Sequence, residues 1–207
     1  MPRKRNTRNG KPTDARILET ATRLFAEKGY HGTSVDEIVD RTGVNKRMVY
    51  HYFGSKLALY QRVLAAAYEE VGRYEERGLE GARELGEIAE RLVRIGFEFH
   101  RDHPEFTSLI LWENLNKGRG IRSATTRFSK APVLARLRAA QRAAPVGKYR
   151  GIDPRFLYLA MVGLTQIYIS NRYTLSQGLG LDLGSPAVLK NATSHVIRFV
   201  RAGLAAG

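Results

Sequence analysis

Asn45, Lys46, Arg47 and Met48 stand in a row just after Gly43-Val44, followed by Tyr50 and His51 and, past Phe53-Gly54, by Ser55-Lys56. At the start of a helix, polar and basic side chains of this kind reach base edges in a major groove, where Arg or Lys bonds guanine N7 and O6. Tyr50, His51 and Lys56, at the end of that helix and the start of the next, are placed for phosphates, contacts that hold register rather than read sequence. Upstream, Thr33 and Ser34 open another short helix, whose free amides favour a phosphate oxygen and where the Thr33 hydroxyl adds a polar group. The competing reading of Lys46 and Arg47 is a solvated helix face. For Tyr50 and His51 it is packing inside the small domain, and Phe25 and Phe53 are assigned to its core.

These residues need two short helices joined by a turn of three to four residues with a glycine, so that the second helix projects its exposed face. The chain supplies them at 34–41 and 45–53. Ser34 and Glu37 are spaced as a capping box, Val35, Ile38 and Val39 share a face, and Gly43 ends the helix. Asn45 caps the second, whose apolar side is Val44, Met48, Val49 and Tyr52, and Gly54 closes it. Thr13 is placed to cap a first helix, which carries Ile17, Leu18, Ala21, Leu24 and Phe25 at helical spacing and ends at Gly29. Ser55 caps a long fourth helix to about residue 77, with Leu59, Val63, Leu64, Ala67 and Val71 on one side. Further helical patterns run over 84–101, 105–116, 121–143, 154–175 and 186–204, with Pro and Gly marking the loops. The fold class is all-α, divided into a basic arm (1–12), a three-helix head (13–60) and a larger helical bundle (61–207).

The net charge of +14 is unevenly spread. Residues 1–11 carry Arg3, Lys4, Arg5, Arg8 and Lys11 and no acid, and 117–155 carry eleven basic groups against one acidic. Residues 61–116 are acidic, with seven basic against twelve acidic groups. A polyanionic partner is implied. The longest stretch without a charge, Phe156 to Asn171, falls short of the roughly 18 residues a spanning helix needs, so no membrane partner is expected. The N-terminus lacks the apolar run of a secretory signal, which points to the cytoplasm. The absence of cysteine excludes disulfides, thiol catalysis and cysteine-ligated zinc.

Ala21-x-x-Leu24-Phe25-x-x-x-Gly29-Tyr30, Thr33-Ser34-Val35-x-x-Ile38, Gly43-Val44 and Tyr50-x-x-Phe53-x-Ser55-Lys56 resemble, in order, the signature of the TetR family of transcription regulators over 13–60. The chain departs from the commonest pattern at Arg47, where a small residue is usual; Arg47 either extends the base-reading footprint or touches a phosphate. The resemblance implies an N-terminal helix-turn-helix joined by a long helix to a C-terminal ligand-binding and dimerisation bundle. It also implies a dimer on palindromic operator double-stranded DNA, most often a repressor, that a small-molecule effector releases. The rival class is a nonspecific architectural DNA-binding protein.

Phe97, Phe106, Ile110, Trp112 and Tyr168 have enough aromatic and apolar surface to line an effector pocket between bundle helices, with His100, Glu113, Asn114 and Arg172 as polar anchors. Ordinary core packing competes for each of them. A metal site at His100 and His103 with Glu98, Asp102 and Glu105 is disfavoured, because Pro104 ends the helix there and no metal motif accompanies the pair. No GxSxG, P-loop or dinucleotide fingerprint is present, so neither an enzymatic reaction nor a cofactor is expected. The basic run 117–155 reads as a solubilising face, an anionic-ligand site or a second stretch of DNA contact. Self-association is expected through 154–175 and 186–204, with Ala160, Gly163, Leu164, Ile167 and Tyr168 against Val188, Ala192, His195, Val196, Phe199 and Val200.

Overall fold

Ten α-helices and no strand make up the described part of the chain, residues 12–121 and 130–205 of a computed structural model. They are α1 (Thr13–Gly32), α2 (Val35–Thr42), α3 (Lys46–Phe53), α4 (Lys56–Gly78), α5 (Leu85–Asp102), α6 (Pro104–Leu115), α7 (Ala131–Ala143), α8 (Pro154–Ser170), α9 (Arg172–Leu179) and α10 (Pro186–Ala205). None of them is long and apolar enough to cross a membrane. The basic arm expected at 1–12 lies, Pro12 apart, outside the described residues, as do Arg122 and Arg127 of the basic run and the start of the helix expected over 121–143.

The helix ends follow local chemistry. Ser34 Oγ accepts from the Glu37 amide, Asn45 Oδ1 from the Arg47 amide and Ser55 Oγ from the Ala58 amide. Gly43 ends α2 in the left-handed region at φ 65°, where a side chain would be strained. The capping box forms only by half: Glu37 turns away from Ser34 to Lys28 and Arg41. Thr13 is the first residue of α1 rather than its cap. The helix expected over 154–175 is two, because Asn171 leaves helical geometry and its amide oxygen accepts from the Ser170 hydroxyl.

The described residues fall into two compact units, 12–69 with 108–121, and 70–107 with 130–205. The division therefore runs within α4 and within α6, not after residue 60. The first unit is held by Ile17, Ala21, Leu24, Phe25, Ile38 and Val49, joined by Leu59, Tyr60, Val63 and Leu64 of α4 and by Leu109 of α6, all buried. That contribution from α6 enlarges the head beyond the three helices read from sequence. The second unit packs α5 against α7, α8 and α10 around Ile88, Leu92, Val93, Leu137, Met161, Val196 and Ile197.

Candidate nucleic-acid interface

The turn between α2 and α3 is fixed from several sides. Val35, Ile38 and Val49 bury the inner faces of both helices, and the Arg16 guanidinium donates to the Thr42 carbonyl at 2.6 Å. Lys28 and Arg41 hold Glu37 from either side, which keeps that carboxyl below its usual range. Since burial occupies one side of an eight-residue helix, the other is left free: Asn45, Lys46, Arg47, Tyr50 and His51 are all exposed. Four of the expected DNA contacts, Lys46, Arg47, Tyr50 and His51, thus share one helix face, and Asn45 stands beside them as the N-cap, its side chain and carbonyl taking the amides of Arg47 and Met48.

Other expected contacts are placed differently. Thr33 is 2% exposed, and its hydroxyl donates to the carbonyls of Gly29 (2.9 Å) and Leu24 (3.1 Å). This corrects its reading as a free hydroxyl: it ties the end of α1 to the start of α2. Met48 is half-buried against the core, and Ser34 is exposed but serves as the cap of α2. The Lys56 ammonium sits 4.4 Å over the Tyr30 ring, and partial burial lowers its pKa. Tyr52, assigned to the apolar side, is 43% exposed and adds an aromatic group beside the reading face. Asp36, which sequence reasoning did not single out, forms an ion pair with Lys46 at 2.7 Å. No short-range signal shows that pair, since its partners lie on different helices.

The expected effector residues divide between the units. In the first, the Trp112 indole packs on Gly29, and its N–H donates to the Ala26 carbonyl at 3.2 Å. Gly29 has φ +70°, and an added Cβ would sit 2.8 Å from the indole, so backbone and ring both require glycine. Glu113 is buried, accepting from the Tyr60 hydroxyl (2.8 Å) and from the amides of Gly120 (2.6 Å) and Ile121 (3.1 Å). These bonds correct the reading of Trp112 and Glu113 as pocket groups: both join α6 to the head. Ile110 is half-buried, and Asn114 is exposed, donating to the Ile110 carbonyl of its own helix.

In the second unit Phe97 is buried with its ring 5.5 Å from Tyr168. His100 is buried beside Phe99 and Phe106, with Nδ1 2.8 Å from the Thr107 hydroxyl, and burial pushes its pKa down to about 4. Arg172 lies over the Tyr173 ring. A groove of about 490 Å³ between α8 and α10 is lined by Phe156, Leu157, Ala160, Met161, Phe199 and Val200 among others, and by none of the expected effector residues. Beside it the expected self-association patch splits. Of the expected residues, Ala192, Val196 and Val200 face their own core, whereas Ile167 and Phe199 are exposed, and Phe156 and Leu159, which lie outside the expected patch, are exposed beside them. The described part of the basic run is likewise not one face, since Lys130 pairs with Glu75, Arg155 with Asp153, and Arg136 donates to the Leu79 carbonyl. Among the described residues no group of three or more His, Asp or Glu side chains is placed to hold a metal ion.

Residues 17–63 match the family described as bacterial regulatory proteins, tetR family, and residues 87–200 match the tetracyclin repressor-like C-terminal domain. The HTH-type transcriptional repressor NicS of Pseudomonas putida is 31% identical over 187 residues, 89% of this chain and 86% of that protein. The HTH-type transcriptional regulator RutR of Escherichia coli is 27% identical over 188 residues, 91% of this chain and 88% of that protein. The crystal structure of the transcriptional regulator SCO4942 of Streptomyces coelicolor has a similar fold, with a TM-score of 0.70 at 24% identity, covering 92% of this chain and 97% of the other.

Proposed function

The chain belongs to the TetR family of bacterial regulatory proteins, and on that premise we propose that it is an operator-specific repressor, acting as a dimer in the cytoplasm and released from DNA by a small molecule. The observation that carries the DNA-binding part is the exposed face of α3, where Lys46, Arg47, Tyr50 and His51 stand together on a helix capped by Asn45 and Gly54. Asn45, Lys46 and Arg47 read base edges; Tyr50, His51, Ser34 and Lys56 contact the backbone. The dimer forms through the exposed apolar side chains of α8 and α10, Phe156, Leu159, Ile167 and Phe199, and two-fold symmetry makes the operator a palindrome.

The effector enters the second unit, near Phe97, His100, Phe106 and Tyr168. Its influence on DNA binding travels along α6, one continuous helix whose Thr107 meets His100 and whose Trp112 meets Ala26 and Gly29. An effector shifts the equilibrium only as far as it prefers the DNA-incompetent shape, and couplings of about 1–3 kcal/mol correspond to roughly 5- to 150-fold weaker operator binding. The test is selection from a random duplex library by the purified protein, followed by footprinting. Enrichment of a palindrome with two protected half-sites is expected. Equal binding of every duplex points instead to an architectural DNA-binding protein.

A further inference from the structure

Asp36 stands in the first turn of α2 and Lys46 is the first residue of α3, so their 2.7 Å ion pair crosses the two helices of the helix-turn-helix at its outer surface. The side chains are 69% and 49% exposed. Glu37 beside it is taken up by Lys28 and Arg41, which leaves Asp36 as the first-turn acid of α2 joined to the recognition helix. The carboxylate also raises the Lys46 pKa, chiefly through the hydrogen bond. An exposed pair of this kind adds little stability, and the α2–α3 junction is already held by buried Val35, Ile38 and Val49. A negative charge beside the face that meets a polyanion is repelled by phosphates on every sequence, so its presence there calls for another reason.

We propose that Asp36 is a specificity-determining residue that acts through Lys46. By occupying the ammonium it keeps Lys46 from neutralising a phosphate on any passing duplex, and gives it up only where a guanine in register offers O6 and N7. Discrimination then arises from weakened binding to wrong sequences as much as from contacts to the right one. The inference rests on α3 being the reading helix, and the experiment separates the two ideas.

Wild type, Asp36→Asn, Asp36→Glu, Lys46→Ala and the Asp36→Asn/Lys46→Ala double variant are titrated against a duplex selected by the wild-type protein and against its scrambled counterpart, over a salt series. Thermal melting checks that each is folded. Asp36→Asn should tighten binding to the scrambled duplex by roughly two- to fivefold, the range an exposed pair spans. It should steepen the log–log salt slope on that duplex by up to about 0.9, one additional phosphate contact. Affinity for the selected duplex should change less, so the ratio between the two falls. Asp36→Glu, which can still reach Lys46, should keep the wild-type ratio. In the Lys46→Ala background Asp36→Asn should leave the ratio unaltered. An unchanged ratio in the single variant overturns the proposal. So does an equal change in both backgrounds, because the carboxylate would then act on phosphates directly. A wild-type protein that prefers no duplex removes the reading of α3 itself, and that is seen before any variant is compared.

Discussion

The exposed face of α3 and the exposed faces of α8 and α10 are made of opposite materials. On α3 an amide, an ammonium, a guanidinium, a phenol and an imidazole reach water from Asn45, Lys46, Arg47, Tyr50 and His51. On α8 and α10 the side chains that reach water include Phe156, Leu159 and Phe199, each more than 60% exposed. The first face suits a partner that is itself hydrated and charged, reached by hydrogen bonds and counterion release. The second is unfavourable in water at about 1.5–3 kcal/mol for each large side chain and gains by being covered.

The widest separation between the two faces should come from charging the apolar one. Leu159→Glu with Phe199→Glu removes four large side chains from a two-fold interface, a loss of roughly 6–12 kcal/mol on the same scale. Light scattering should then report folded monomers with the helical circular dichroism signal retained and a lower melting temperature that no longer depends on protein concentration, and operator binding should fall with the dimer. A stable dimer in that variant would place the interface elsewhere. Val196→Arg makes the contrasting control: Val196 is 3% exposed in its own core, so this change should unfold the second unit rather than separate protomers.

Acid should act on the bundle at a pH where carboxylates are still ionised. His100 is folded in its neutral form, with its pKa pushed down from 6.5 to about 4 by burial. Between those values the unfolded chain binds a proton that the folded chain refuses, so stability is complete above pH 6.5 and declines as pH falls toward 4. The decline amounts to on the order of 3 kcal/mol. Denaturant titrations of His100→Gln should show a flatter profile between pH 4.5 and 6.5 than wild type. Identical profiles would remove His100 as the cause.

The smallest effect belongs to the reading face. Arg47→Ala should remove about 1–3 kcal/mol of discrimination at one base pair if the guanidinium pairs with guanine. It should instead weaken all duplexes alike, with a salt slope smaller by about 0.9, if the guanidinium neutralises a phosphate. Dimerisation should be untouched in either case, which a sedimentation measurement checks.

How far each face could be read from sequence follows from how local its causes are. The caps Ser34 and Asn45 and the turn glycine Gly43 act within four residues, and each stands where its type and spacing placed it. Tyr52 was misassigned because an apolar periodicity cannot say where a helix outruns the core that covers it. Thr33 hides its hydroxyl for a similar reason, since its acceptors are the carbonyls of Gly29 and Leu24 on the preceding helix. On α10 two apolar rows coexist, and spacing alone does not tell Val196, which faces inward, from Phe199, which faces water. Trp112 and Glu113 looked like pocket groups because aromatic and acidic residues often are; their partners Ala26 and Tyr60 lie 86 and 53 positions away, beyond any sequence window.

Those long separations bear on how the molecule is made. The core around α3 is completed by Leu109, and Tyr60 finds its acceptor only when Glu113 arrives. A nascent chain that has released residues 1–69 therefore holds the whole recognition pair but not the helix that closes its core. At about 5–20 residues per second, roughly 3–10 s pass before residue 121 follows. Closing so long a loop is an entropic step that slows folding relative to a head folding from its own local contacts. Ribosome-stalled chains long enough to expose residues 1–69 but no more should accordingly be cut by protease within α1–α3, and chains extended to expose residue 121 should resist. Protection already complete in the shorter chains would show that the head folds without α6.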